Sequence, residues 1–259
     1  MADLFRLDSK VVAVIGAGAG IGREVAIGCA RQGAGTVVCL DVDETAARRV
    51  AAECQGTPGR VDITDAVDVE RALGEIRQRW GALDALVCTP GVNVRKRILD
   101  YTDADVDRVL AINLKGSFHV LRAAARLMVE QRRGSLVFFS SIRAQVVEPG
   151  QSVYAATKAG LVQMVRTAAA EFGPFGVRVN AVAPGVVDTP LTAPIRADPD
   201  WQAAYAAKSV FNRWARAEEM VGPAIFLVSD AASFVTGTVL MADGGWTAAD
   251  GRFTPPGMS

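Results

Sequence analysis

The chain has 259 residues, half of them hydrophobic, enough for one large domain with a substantial core. Basic and acidic side chains balance at 28 each, so no global field draws in nucleic acid or an anionic membrane. Four cysteines without CxxC spacing and a single histidine exclude an ordinary zinc site and, unless His119 itself serves, a Ser-His-Asp triad.

Free thiols of this kind fit a reducing, cytoplasmic setting. No apolar run approaches the roughly 20 residues of a membrane span. The run over 11–15 is too short for a secretory signal and ends in glycines.

Strand and helix patterns alternate along the chain. A β-branched strand over 11–15 runs into GAGAGIG, and a helix over 21–32 follows. Strand 36–40 ends at Asp41, and 44–54 is an alanine-rich helix. A short strand over 59–63 precedes a helix capped by Asp65 that reaches about residue 80. After strand 83–88, Thr102 and Asp105 start one long helix to about residue 131, in which His119 has a packing or interface role. Strand 135–140, helix 153–172, strand 177–183, helix 217–229 and strand 239–242 complete the pattern. Strands of four to seven apolar residues between helices predict an α/β fold: a Rossmann-like, doubly wound parallel sheet of about seven strands with helices on both faces. The whole chain, 1–259, reads as one dinucleotide-binding and catalytic domain, with a substrate lid over 190–214 and a tail over 246–259. That tail either frays or folds over a pocket.

Gly16, Gly18, Gly20 and Gly22 lie between the first strand and the first helix, with Ile21 opening the helix. Glycines there permit a tight turn and close approach of a pyrophosphate to helix N–H donors. Asp41 closes the second strand about 20 residues on, where a carboxylate accepts both adenosine ribose hydroxyls and repels a 2′-phosphate. Val42 follows and offers no cation, so NAD is favoured over NADP. The alternative for Asp41 is a turn residue.

Tyr154 and Lys158 stand four residues apart, on one face of a helix, and Ser141 ends the strand before it. A phenol, an ammonium and a hydroxyl converging there can move a proton to or from an alcohol. A free tyrosine titrates at about 10, and lowering that by about three units takes about 4 kcal/mol. A cation about 4 Å away at an effective dielectric near 20 supplies about that much, which is the part expected of Lys158.

With these motifs the chain resembles the short-chain dehydrogenase/reductase family over nearly its whole length. The resemblance rests on GxxxGxG, Asp62-Ile63, Asn113, Ser141, Tyr154, Lys158, Pro184-Gly185, Thr189 and Asp243-Gly244-Gly245. It implies that Asn113, Ser141, Tyr154 and Lys158 form a catalytic tetrad, with Asn113 anchoring a water that relays the proton outward. Tyr154 and Lys158 also hold the nicotinamide ribose, while Gly91, Asp62 and Ile63 line the cofactor side. Val187 and Thr189 hold the nicotinamide amide and diphosphate, beside Pro184 and Gly185. It also implies a homotetramer, with alanine-rich faces near 123–125 and 168–170 available for helix contacts. Two positions depart from the family pattern. Ile15 replaces a threonine, and Cys88-Thr89-Pro90-Gly91 replaces Asn-Asn-Ala-Gly, which bears on how the loop after the fourth strand is tied to the first.

Substrate specificity is expected in three polar loops carrying Arg95, then Arg143 and Gln151, then Arg196. Arg143, two residues past Ser141, either clamps an anionic substrate group or pairs with Glu148. The expected activity is NAD-dependent oxidation of a secondary alcohol in a small polar molecule, such as a sugar, sugar acid or polyol. The alternatives are a 3-oxoacyl-[acyl-carrier-protein] reductase and a non-catalytic NAD-binding regulator.

Overall fold

The computed structural model describes residues 3–249. A seven-stranded parallel sheet forms its centre, built from β1 (Val11–Ile15), β2 (Thr36–Asp41), β3 (Thr57–Arg60), β4 (Ala85–Cys88), β5 (Gly134–Phe139), β6 (Val177–Pro184) and β9 (Val239–Ala242). Their order is β3-β2-β1-β4-β5-β6-β9. The chain winds outward from β1 in one direction, then returns to β4 and winds in the other. The crevice at the carboxyl ends of β1 and β4 is therefore the topological switch point, where open α/β sheets bind ligands.

Alternate strand residues face opposite layers. Ala13 and Ile15 pack with α3 (Ala66–Trp80), α5 (Ser117–Gln131) and α6 (Ser152–Phe172). Val12 and Val14 pack with α1 (Gly20–Arg31), α2 (Glu44–Cys54) and α9 (Val221–Val228). Leu86, Leu136 and Leu227 are fully buried, each contributing about 1.5–3 kcal/mol. Helix starts follow their caps: Asp43 accepts from Ala46 N–H, and Asp65 accepts from Val67 and Asp68.

The expected helix from Thr102 to about residue 131 is three pieces. α4 (Asp103–Leu110) has a Thr102/Asp105 capping box, then Ala111–Gly116 forms a π turn, then α5 resumes. Gly116 passes Ile63 so closely that a Cβ there would lie 2.8 Å from its Cγ1. The strand expected over 59–63 is instead β3, with sequence TPGR. It is an edge strand, where Pro58 costs no central ladder bond; Val61, Asp62 and Ile63 turn away toward the crevice. The helix expected over 217–229 begins as a 3-10 turn, Ala217–Met220, before α9. Pro223 has no N–H to return to Glu219, which breaks a continuous α pattern.

A second, two-stranded sheet pairs β7 (Val187–Asp188) with β8 (Ala215–Arg216). It clasps both ends of the 190–214 segment, which contains α7 (Ala193–Arg196) and α8 (Pro199–Ala206). Of the 246–259 tail, residues 250–259 lie outside the described part. The alanines expected at a subunit contact are mostly internal: Ala123, Ala124, Ala125, Ala168 and Ala169 are buried in the chain's own core.

Candidate active site

The glycine turn after β1 is held to β2 by Gly16 N–H and Ala17 N–H, which donate to Leu40 O at 2.8 and 3.0 Å. Gly16 and Gly20 have φ of 81° and 54°, which side chains resist. A Cβ on Gly22 would lie 2.0 Å from Gly16 O, so only glycine lets α1 begin against the turn. The first turn of α1 has no side-chain cap and no acidic residue, leaving its N–H groups for an anion.

Beside this turn opens a cavity of about 580 Å³. Its wall includes Gly16, Gly20, Ile21, Gly22, Asp41, Val42, Asp62, Ile63, Gly91 and Thr189. Asp41 is fixed on both oxygens: Gly18 N–H donates to Oδ2 at 2.8 Å and Asp43 N–H to Oδ1 at 3.0 Å. A Cβ on Gly18 would lie 2.8 Å from that Oδ2. Asp62 is held by the Thr64 N–H and hydroxyl. The cavity's size, its glycine wall and the Asp41 carboxylate fixed on both oxygens fit a dinucleotide. Pro184, Gly185 and Val187 stand behind this wall. Pro184 pairs with Ala242 across the sheet, and Gly185 passes within 2.9 Å (measured from a notional Cβ) of Asp243 Cα. Thr89 resolves the departure from the family pattern. Its hydroxyl donates to Ile15 O at 3.0 Å and lies 3.3 Å from Gly16 O, while its N–H donates to Ile15 O at 3.0 Å. A single threonine thus ties the β4 loop to β1.

Four groups meet at the floor of the crevice. The π turn presents Asn113 sideways from its helix. Its amide pairs reciprocally with Val92, accepting from N–H and donating to C=O, both at 2.8 Å, and donates to Thr157 Oγ1 at 3.2 Å. Ser141 begins a 3-10 turn after β5, and its hydroxyl accepts from Arg143 N–H at 3.1 Å. Tyr154 and Lys158 stack on α6, with the ammonium 5.6 Å from the ring centroid and donating to Phe139 O at 2.8 Å. Burial pulls Lys158 down to about 8, opposed by the nearby Cys88 thiol. Burial also raises the Tyr154 phenol above its ordinary value; the Ser141 hydrogen bond and the Arg143 and Arg95 guanidiniums act the other way. The cations that lower the phenol are the two loop arginines and not, as the sequence suggested, Lys158, and burial leaves the phenol above its ordinary value rather than below it.

Those arginines belong to a cluster around Glu148. Arg143, 7 % exposed, is ion-paired to Glu148 Oε2, and Arg95 donates to Oε1 at 3.1 Å. Tyr205 of α8 donates to the same carboxylate, 2.5 and 2.6 Å from its two oxygens. Gln151 donates to Oε2 at 2.8 Å and accepts from Asn93 at 2.8 Å. Trp246 lies under Arg143, with the guanidinium 5.3 Å from the ring, and Trp201 lies 5.1 Å from Arg95. Tyr205 packs against Trp201, Trp214 and Trp246. Two guanidiniums share one carboxylate, so this end of the crevice keeps a positive surplus. Arg196 does not join the cluster; it is ion-paired with Asp188 and half-exposed. Sequence reasoning did not single out Tyr205 or Trp246, and it named Thr89 only within the departure after the fourth strand. The i, i+4 pair Trp201 and Tyr205 was the one available signal for an aromatic lid face.

Residues 16–247 match the family model described as enoyl-(acyl carrier protein) reductase. The chain is 35% identical over 246 residues to a 3-oxoacyl-[acyl-carrier-protein] reductase of Thermotoga maritima, covering 93% of this chain and 98% of that protein. It is 32% identical over 249 residues to the gluconate 5-dehydrogenase of Gluconobacter oxydans, covering 95% and 97%. The crystal structure of a gluconate 5-dehydrogenase from Burkholderia cenocepacia, in complex with NADP and tartrate, superposes with a TM-score of 0.92 at 31% identity, covering 95% and 98%. No helix among the described residues is long and apolar enough to cross a membrane. The chain belongs to the short-chain dehydrogenase/reductase family and is an oxidoreductase acting on CH–OH groups.

Proposed function

We propose that the protein is an NAD-dependent dehydrogenase of a small hydroxylated acid, such as a sugar acid. The observation that carries this reading is the Arg143–Arg95 pair, which shares only Glu148 and acts on the Tyr154 phenol. A carboxylate on the substrate supplies the missing counter-charge. The relative whose structure holds tartrate, a hydroxylated dicarboxylate, supports the same chemistry.

Gly16, Gly18, Gly20, Ile21 and Gly22 hold the diphosphate, and Asp41 accepts the adenosine ribose hydroxyls. Val42, Asp62 and Ile63 border the adenine, while Gly91, Pro184, Gly185, Val187 and Thr189 border the nicotinamide end. The nicotinamide held there would supply the hydride acceptor for the carbinol carbon. Tyr154 Oη accepts the proton of the substrate hydroxyl, and Ser141 Oγ holds the same oxygen. Lys158 holds the ribose, and Asn113 fixes the Val92 backbone at the entrance to the proton path. Arg143 and Arg95 orient the acid group, with Gln151 beside them. Closure of 190–214 over the site, held by Tyr205 on Glu148, excludes water.

Asp41 supports NAD over NADP, since its fixed carboxylate faces any 2′-phosphate; the Burkholderia relative with bound NADP makes this the point to test. An apolar groove between α5 and α6, with Phe118 46% exposed, supports a homo-oligomer, tetrameric by family resemblance. The four free thiols support a cytoplasmic setting. The second reading, 3-oxoacyl-[acyl-carrier-protein] reduction, draws on the Thermotoga relative.

Purified protein is assayed by NADH absorbance against sugar acids, polyols, neutral cyclic alcohols and a 3-hydroxyacyl thioester, with NAD and NADP in parallel. Preferred turnover of an acid with NAD is the expected result. Preferred turnover of the thioester with NADP overturns it in favour of the second reading.

A further inference from the structure

We propose that Cys39 and Cys54 form a dithiol that hydroperoxides oxidise to a disulfide, displacing the α2 support of the dinucleotide site. The two sulfurs lie 3.7 Å apart, against about 2.05 Å in a disulfide bond. Cys39 is fully buried in β2, whereas Cys54, at the end of α2, is partly exposed. Gly56 packs closely against the pair: a Cβ there would lie 2.6 Å from Val37 O, 3.1 Å from Cys54 Sγ and 3.5 Å from Cys39 Sγ, so only glycine lets both sulfurs sit at this end of α2.

The hydrogen bond with Cys39 holds the Cys54 thiol down to about 7 against the opposing effect of burial, and the Gly56 N–H adds to it. Burial pushes Cys29 and Cys88 up to about 12, so the accessible thiolate is confined to Cys54.

The chemistry closes without any further reagent. The Cys54 thiolate attacks one oxygen of hydrogen peroxide; an S–O bond forms, the O–O bond breaks, and hydroxide leaves and takes up a proton as water. Cys54 is then a sulfenic acid, oxidised by two electrons. Cys39 Sγ attacks that sulfur; the S–S bond forms, the S–O bond breaks, and the Cys39 proton leaves with hydroxide as a second water. Two thiols and one peroxide become one disulfide and two waters.

Cys39 and Asp41 lie on the same face of β2, two residues apart. The start of α2 is tied to Asp41 through the Asp43 N–H, and Ala46 in its first turn packs where any side chain on Gly18 would fall. Drawing the far end of α2 toward β2 therefore moves a helix whose near end braces Asp41 and Gly18. This effect on the cofactor rests on the dinucleotide reading above; the thiol chemistry does not.

The reduced protein is exposed to hydrogen peroxide, then analysed by intact mass, non-reducing peptide mapping and fluorescence titration with NAD. The expected result is loss of two hydrogens, a Cys39–Cys54 linked peptide, and an NAD Kd raised about fivefold and restored by dithiothreitol. Cys54→Ser forms no link and keeps its NAD affinity under peroxide. Cys39→Ser leaves a sulfenic acid at Cys54 that a cyclic 1,3-diketone traps. Peroxide-treated wild type with both thiols still titratable, or with Cys54 carried to sulfinic acid and no link, overturns the dithiol. A disulfide with unchanged NAD Kd overturns its coupling to the cofactor site.

Discussion

On the dinucleotide side of the crevice the wall is backbone: Gly16, Gly20 and Gly22 shape it, and Asp41 is clamped between the Gly18 N–H of that turn and the Asp43 N–H that starts α2. On the facing side the wall is long charged side chains from separate loops, Arg95, Arg143 and Glu148, joined to Tyr205 from α8. The first wall tolerates little change: a Cβ on Gly22 meets Gly16 O, one on Gly16 meets the Thr89 hydroxyl, and Gly16 and Gly20 hold positive φ. The second can exchange one charged side chain for another without moving the sheet. Chemistry common to a family belongs on the first, and substrate choice on the second.

The largest test lies at the line where the two walls meet. Tyr154→Phe is expected to lower kcat about 10³-fold or more, the usual range for a lost proton-transfer group, with NAD Kd within about threefold by titration. Retained turnover removes Tyr154 from the reaction. Arg143→Leu breaks the substrate wall: KM for an anionic substrate rises about 10²-fold, as for one lost partner of a buried charge pair, while KM for a neutral alcohol is unchanged.

The pH profile sharpens the same point. Oxidation needs the Tyr154 phenolate, so its rate rises with pH; the group stands above its ordinary value, and Arg143 lowers it. Removing Arg143 therefore moves the rising limb further alkaline, and an unmoved limb separates the arginine from the phenol. Asp41→Asn breaks the dinucleotide wall: KM for NAD rises about tenfold and discrimination against NADP shrinks, roughly 1.4 kcal/mol. The smallest effect is a control away from both walls. Asp65→Ala removes the cap of α3 and costs about 1 kcal/mol in thermal denaturation, with kinetics unchanged.

The strands of the sheet centre were legible because their apolar runs are bounded by glycine and aspartate, and the glycine turn because it sits between strand and helix. Asn113, Ser141, Tyr154 and Lys158 were named from motif, and the structure brings their elements to one floor. The bounds of β3 were misplaced by two or three residues because the expected strand followed the apolar Val61 and Ile63, whereas an edge strand needs no apolar residues and TPGR has none. The π turn escaped because one extra residue leaves the hydrophobic rhythm on either side intact. Glu148 was visible only as a rival for Arg143. Its bond to Tyr205 spans 57 positions, and no local pattern carries a pairing at that range.

The π turn has a consequence for how this protein can be taken apart. One surplus residue in a helix is a local insertion, and deleting one residue between 111 and 116 restores a regular α-helix. The faces of α4 and α5 then keep their alignment, so Leu121 and Met128 stay in the core. Only Asn113 is re-aimed, away from Val92 and Thr157. A single-codon deletion thus offers a way to separate assembly of the fold from assembly of its proton path, something no side-chain substitution at a packed position does.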